Sequence, residues 1–502
     1  MNTARLSLDN IDRYGEYPCM WFEGRSWTNV QAYRHASRLA QALLERGVIP
    51  GDRVLVMMLN SPHVTASFTA VWKIGGVIVP VTPMLGAREV RYLIEDSGAK
   101  VIITSPELCG RLLEACSGQP GLIKVLVFGR AEQEGVTDVS GELASSDPFE
   151  GMIDRASDEL ALLLYTSGTT GVPKGVKLTH ENLLFVADAC YRLNEHLGQL
   201  RTMQVLPLSH VYGVLVMNLG ARMGSAVQIL KHFDAKAVLE TIESFRVQRL
   251  ALVPTMLTLL INQPDREQFD VSSLETVNSG GAPLSEATRL EFSRLFNCRV
   301  VQGYGLSETA GGLSGYHPDD DYRVGSVGSP LPGVEVCVMD FDNRVLPPGE
   351  IGELCTRGRH VMQGYYHNDQ ASKEAIVDGW LHTGDIGYTD ADGYIYITDR
   401  KKDLIIKGGE NISPREIEEA IYSNENIAEA AVLGVADDIY GENIVAAVVL
   451  KPGRMINEAD LVDYLGDYLS KFKIPSRIFF PDSLPKNASG KILKRVLREQ
   501  LA

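Results

Sequence analysis

The sequence predicts an α/β chain: a large N-terminal domain of helix-covered parallel sheets with a β-rich subdomain, followed by a small α+β C-terminal domain. Its 502 residues, at ~150 per domain, call for two or three domains. Hydrophobic residues make up 45% and charged residues 22%, close to folded soluble averages, which excludes disordered, collagen-like and coiled-coil classes. Amphipathic stretches alternate with short β-branched runs, the pattern of parallel strands under helices.

The alternation begins near Trp27. Helical spacing over 30–46 precedes a buried run, Arg53 to Leu59. Helix-like 64–74 leads into strand-like 76–81, and helix-like 87–96 into strand-like 101–104. The pattern recurs with helix-like 237–245, extended 249–253 and helix-like 283–296. From Val324 to Ile397 it changes to short strands rich in glycine, including 334–339 and 394–397, the texture of a β-rich subdomain. Beyond Lys402 the sequence predicts helices at 414–423 and 458–471 and strands at 430–435 and 444–450. A boundary near Lys402 follows. No repeat of fixed period and no low-complexity segment interrupts the chain.

Lysine and arginine number 48 against 64 aspartates and glutamates, a net charge of −16. Such a surface repels nucleic acid and anionic lipid, so bound phosphate requires a local site. The most apolar stretch, Val211 to Leu230, carries Asn218, Arg222, Ser225 and Gln228; it reads as buried core, and no transmembrane segment is expected. The first twenty residues include Asp9, Asp12 and Glu16 and lack a signal peptide's basic start. Seven scattered cysteines, with no C-x-x-C pair, support neither a disulfide framework nor structural zinc. The last four residues, Glu499 to Ala502, form neither a retention nor a peroxisomal address. A cytoplasmic location is expected, with a homodimer left open.

The strongest local signal is a strand, Leu162 to Tyr165, that runs into Thr166, Ser167, Gly168, Thr169, Thr170 and Gly171 and on to Val172, Pro173, Lys174 and Gly175. Glycines let backbone N–H groups converge, hydroxyls donate and a lysine neutralises, which suits a polyphosphate. It is not a Walker loop, because proline precedes the lysine and glycine follows it. An exposed hydroxyl-rich turn is the bland alternative, weakened by six such residues in a row beside Pro173, Lys174 and Gly175.

This run resembles the phosphate loop of the adenylate-forming superfamily of acyl-CoA synthetases, luciferases and peptide-synthetase adenylation domains. Further stations follow in that family's order: Leu206 to Gly213, Gln302 to Thr309, Trp380 to Asp385, Asp399 to Asp403, Gly408 to Ile412, and Pro485 to Lys491. The resemblance spans nearly the whole chain. It implies an adenylation domain over 1–400 and a mobile domain over 401–502 that carries a catalytic lysine.

Residue by residue, the resemblance implies catalytic positions at Lys491, Thr169, Glu308 and His210, with Glu308 holding Mg²⁺. It implies nucleotide contacts from Thr166, Ser167, Gly168, Thr169, Thr170, Gly171 and Lys174. Gly280, Gly281 and Ala282 would pass under the adenine and acyl group. Gln302, Gly303, Tyr304 and Thr309 would contact the base and phosphates, and Asp385, Ile397 and Arg400 the ribose side. Lys402 would be the hinge, with Gly408, Gly409 and Glu410 reaching the acyl site after rotation. Taken singly, Tyr304 reads as a packed tyrosine, Asp385 as a turn aspartate and Lys491 as part of a solvated basic tail.

The implied reaction joins a small-molecule carboxylic acid to ATP, giving acyl-adenylate and pyrophosphate, and then to coenzyme A (CoA), releasing AMP. A peptide-synthetase domain would carry an acidic residue near Val211 to Leu215, and none is there. The chain ends soon after Lys491 without room for a carrier domain, so a free-standing acyl-CoA ligase is expected. Delivery to a carrier protein is the alternative. A nucleotide-binding relative without turnover would have replaced Lys491, Glu308, Asp385 or Lys174, and all four are present. The segments 210–217, 254–259 and 303–315 are apolar and glycine-rich, which suggests a fatty or aromatic acid. Gly305, Gly311 and Gly312 could open a slot or serve only as turn residues.

Overall fold

The computed structural model describes residues 1–118, 124–130, 133–166, 173–437, 439–486 and 491–501, excepting the side chain of Asn411. Among these, two sheets of seven strands form the bulk of the chain. The first runs in the order Val136–Asp138, Lys124–Val127, Val101–Thr104, Arg53–Met57, Val77–Pro80, Leu160–Thr166 and Lys174–Thr179, all parallel except the last pair. The second runs Arg299–Gln302, Thr276–Ser279, Arg249–Leu252, Arg201–Gln204, Ala226–Ile229, Pro18–Phe22 and Arg25–Thr28, again parallel up to an antiparallel edge pair.

Local chemistry sets the helices. Thr28 and Gln31 form a capping box at the start of Asn29–Glu45, and Thr179 and Asn182 do so for His180–Asn194. The expected helix over 283–296 begins later, at Glu286, because the Ser285 hydroxyl caps it by accepting the Thr288 N–H. The expected helix over 458–471 ends at Gly466, and Lys471–Lys473 forms a separate 3₁₀ turn. The stretch 211–230 is a helix, Val211–Met223, and a strand, Ala226–Ile229, separated by Gly224 at φ 68. Only part of it is core, since one face of the helix borders a cavity.

One face of the second sheet packs Leu252, Val277 and Val300 against the helices Ala235–Phe245, Pro254–Ile261 and Glu286–Phe296. The opposite face looks across the cavity toward His180–Asn194 and Val211–Met223. The β-rich part is a five-stranded antiparallel sheet containing Glu335–Met339, Gly352–Arg357, Trp380–Thr389 and Ile395–Arg400. Another sheet, with its own core, is built on the long hairpin Ile427–Asp437 and Gly441–Leu450 and packs the helices Pro414–Tyr422 and Glu458–Gly466. No helix among the described residues is long and apolar enough to cross a membrane.

Candidate active site

A cavity of about 1810 Å³ lies where the C-terminal ends of the parallel strands, the β-rich sheet and the C-terminal sheet meet. Parallel sheets present ligand sites at these strand ends. Ser279 and Gln302 are register partners on adjacent strands. The chain therefore delivers Gly280, Gly281 and Ala282 beside Gln302, Gly303 and Tyr304, all lining the cavity. Gly281 sits at φ +79, and a Cβ on Gly280 would lie 3.1 Å from the Tyr212 ring. A flat, unencumbered backbone edge results.

Thr166 and Lys174, paired across the hairpin that closes the hydroxyl-rich loop, both line the cavity. The expected contacts Ser167, Gly168, Thr169, Thr170 and Gly171 lie outside the described residues. The Lys174 ammonium sits 5.1 Å from the centre of the Tyr365 ring, and the Tyr365 hydroxyl donates to Glu308 Oε1 at 2.8 Å. Tyr365 was not singled out from sequence. Its signal is weak, one tyrosine of an adjacent pair in a loop.

The strands Trp380–Thr389 and Ile395–Arg400 place Asp385 opposite Arg400. Arg400 Nε donates to Asp385 Oδ1 at 2.7 Å, and the Tyr304 hydroxyl donates to Oδ2 at 2.5 Å. Burial and then the Asp385 carboxylate hold the Tyr304 phenol well above its ordinary value, so it remains a donor. Ile397 and Lys402 complete this wall.

Lys491 enters the cavity from the C-terminal sheet. Its neighbours in sequence line the same cavity but carry carboxylate partners: Lys486 pairs with Glu429 at 2.5 Å and Lys494 with Glu418 at 2.7 Å. Burial first, then the charge of Arg400, draws the Lys491 ammonium down to about 8, while Asp385 acts in the opposite sense. Burial and then Lys491 lower the His210 ring to about 4, so that ring is neutral near pH 7. Its Nδ1 accepts the Tyr212 backbone N–H at 3.2 Å, which leaves the ring proton on Nε2 as a donor.

Four expected contacts are not among the cavity-lining residues. Thr309 is fully buried, and its hydroxyl is engaged with the Leu306 backbone, accepting from N at 2.8 Å and donating to O at 3.1 Å. Gly408 and Gly409, at φ +61 and +88, form the exposed two-residue turn between Ile405–Lys407 and Glu410–Ile412. Glu410 is exposed beside them. Among the described residues no cluster of three metal-ligating side chains occurs. A Mg²⁺ held by one carboxylate and substrate phosphates needs no such cluster.

The AMP-binding enzyme family model matches residues 8–366, and the model of the AMP-binding enzyme C-terminal domain matches 416–491. The chain is 34% identical over 492 residues to the fatty acid–[acyl-carrier-protein] ligase ScoC of Streptomyces coeruleorubidus, covering 96% of this chain and 93% of that protein. It is 32% identical over 526 residues to a long-chain-fatty-acid–CoA ligase of Bacillus subtilis, covering 99% and 94%. Among solved structures, ATP-bound MatB from Rhodopseudomonas palustris superposes with a TM-score of 0.91 at 31% identity, covering 100% of this chain and 99% of that one. The apo form of MatB gives 0.79.

Proposed function

This chain belongs to the AMP-binding enzyme family and is an AMP-forming acid–thiol ligase, and from that premise we propose that it activates a hydrophobic carboxylic acid, fatty or aromatic, and transfers the acyl group to CoA. The observation that carries this reading is convergence: Lys491, from the far end of the chain, lines the same cavity as Lys174, Glu308, Asp385 and Arg400. Lys491, Lys174 and Arg400 give a protein of net charge −16 a local site for a triphosphate.

The substrate carboxylate attacks the α-phosphorus of ATP, forming the acyl–oxygen–phosphorus link and expelling pyrophosphate. Lys491 neutralises charge between the nucleophile and the α-phosphate, and Lys174 does so at the leaving phosphates. Asp385, held by Arg400, accepts from the ribose hydroxyls, and the Tyr304 ring stacks on adenine. Glu308, with Tyr365 occupying one oxygen, would hold Mg²⁺, which supplies charge neutralisation on the pyrophosphate. Leu215, Val216, Leu219 and Met223 on one helix face offer the acyl group an apolar wall.

In the second step the CoA thiol attacks the activated carbonyl and AMP leaves. We assign residues 1–400 to the adenylation domain and 401–502 to a domain that rotates about Lys402, exchanging Lys491 for the exposed Gly408–Gly409 turn. The higher TM-score to ATP-bound than to apo MatB supports reading the present arrangement as the adenylate-forming one. A cytoplasmic setting accompanies this reading, supported by seven unpaired cysteines.

Pyrophosphate release from ATP over straight-chain, branched and aromatic acids tests the first step, and absence of acid-dependent release rejects the proposal. Because one relative is named as a carrier-protein ligase, comparing CoA, pantetheine and a pantetheinylated carrier protein as acceptors decides the second.

A further inference from the structure

The cavity also runs over the helix-facing side of the second sheet, where its lining includes a polar row. Thr202, Arg249, Thr276 and Arg299 are successive register partners on four parallel strands, and all line it. Next along the strands lie Ala251, Asn278 and Val301. Facing the row are Asn194, at the end of its helix, and the apolar Leu219 and Met223.

Arg299 spends its guanidinium on backbone carbonyls of His317, Pro318 and Asp320. Arg249 does not. Its Nη1 donates to the neutral Asn194 Oδ1 at 2.8 Å, and its buried Nε has no partner. Among the described residues no carboxylate forms an ion pair with either arginine. Glu275, which attracts Arg249, is exposed and accepts from Gln248 at 3.2 Å. Burial and the neighbouring Arg299 both oppose the Arg249 charge. A half-buried cation with no carboxylate paired to it and a second cation beside it gains from an anion that joins it.

Resting on the ligase reading above, we infer that Arg249 is a specificity-determining residue that binds a second carboxylate at the distal end of the substrate, so that the substrate is an acid with an apolar shaft and an anionic end. Thr276 to Gly280 spans four residues, roughly 13 Å at ~3.3 Å each. An extended alkyl chain, zigzag at bonds of ~1.5 Å, advances only ~1.3 Å per bond, so that distance corresponds to about ten or eleven carbons. The reaction consumes one carboxylate at Lys491 while the other, unreacted, pairs with the Nη end of the Arg249 guanidinium. No bond to it forms or breaks.

The test measures kcat/KM for pyrophosphate release with α,ω-dicarboxylic acids of about six to fourteen carbons against monocarboxylic acids of the same lengths. The wild-type enzyme should prefer a diacid near ten carbons by at least about tenfold. Arg249→Met should invert that preference, lowering the diacid value by about tenfold or more and raising that of the monoacid; Arg249→Lys should restore part of it. Wild-type preference for monoacids at every length overturns the inference while leaving the ligase reading intact. So does an Arg249→Met enzyme that merely accepts longer monoacids, the mark of a plug. Release with no acid at all removes both. The wild-type comparison decides even where the variant fails to fold.

Discussion

Lys491 is a buried ammonium whose usefulness lies in its charge, and the surrounding groups make that charge easy to lose. Truncation to alanine should lower adenylate formation by at least about a hundredfold, while thiolysis of preformed acyl-adenylate proceeds largely unchanged. Measuring the two half-reactions separately checks this, and equal loss of both would contradict the rotation scheme. The same residue sets a pH dependence. Its value is drawn down to about 8, so the proton departs earlier than from an ordinary lysine as pH rises. The kcat/KM of adenylation, which reports free-enzyme groups, should therefore fall as pH climbs through about 8. Because His210 is already neutral above about 4, the profile should show no inflection at the ordinary histidine value of ~6.5.

At the scale of elements, the loop 303–312 explains glycines that sequence could not assign. A Cβ on Gly305 would overlap the Gly311 carbonyl and lie 2.7 Å from the Gly312 nitrogen. Gly311 sits at φ +89, and a Cβ on Gly312 would come within 2.6 Å of Val186. These glycines line the cavity, yet Gly305 is required by close packing of the loop itself, and Gly311 and Gly312 by its close approach to Val211 and Val186 on neighbouring helices. Gly305→Ala should destabilise the protein by about 1–3 kcal/mol, read as a lower Tm, instead of acting as a clean block of the acyl channel. A variant with unchanged Tm and altered acid preference would assign the glycine to the slot. The hairpin carrying Asp385 and Arg400 illustrates the opposite case: its motif residues were visible in sequence, and antiparallel register explains why they meet.

For the whole molecule, the contacts that join the C-terminal sheet and its helices to the rest include many polar ones among the described residues. Lys451 pairs with Glu291 at 3.1 Å, the Glu286 N–H reaches Glu419 at 3.4 Å, the Ser413 hydroxyl donates to Asp399 at 2.7 Å, and Arg415 donates to the Ile397 carbonyl at 2.5 Å. A polar junction is compatible with relative motion. Lys402 lies in a turn closed by the Asp403 N–H on the Arg400 carbonyl at 2.9 Å. Lys402→Pro, by locking φ there, should depress thioester formation at least about tenfold more than adenylation; thioester kinetics like those of wild type would discard the hinge assignment.

Periodicity and composition were enough to expect parallel sheets, the β-rich region and most helices, because strands and helices announce themselves by which neighbours along the chain are apolar. The motif stations likewise identified Lys174, Asp385, Arg400 and Lys491 as residues to watch. Sequence did not reveal that Pro18–Phe22 pairs with Ala226–Ile229, that Tyr365 holds Glu308, or that Arg249, Thr276 and Arg299 form one row. Those facts depend on strand order and register. Local spacing along one segment carries no information about which distant segment lies beside it, and only the packed chain brings their side chains to one cavity.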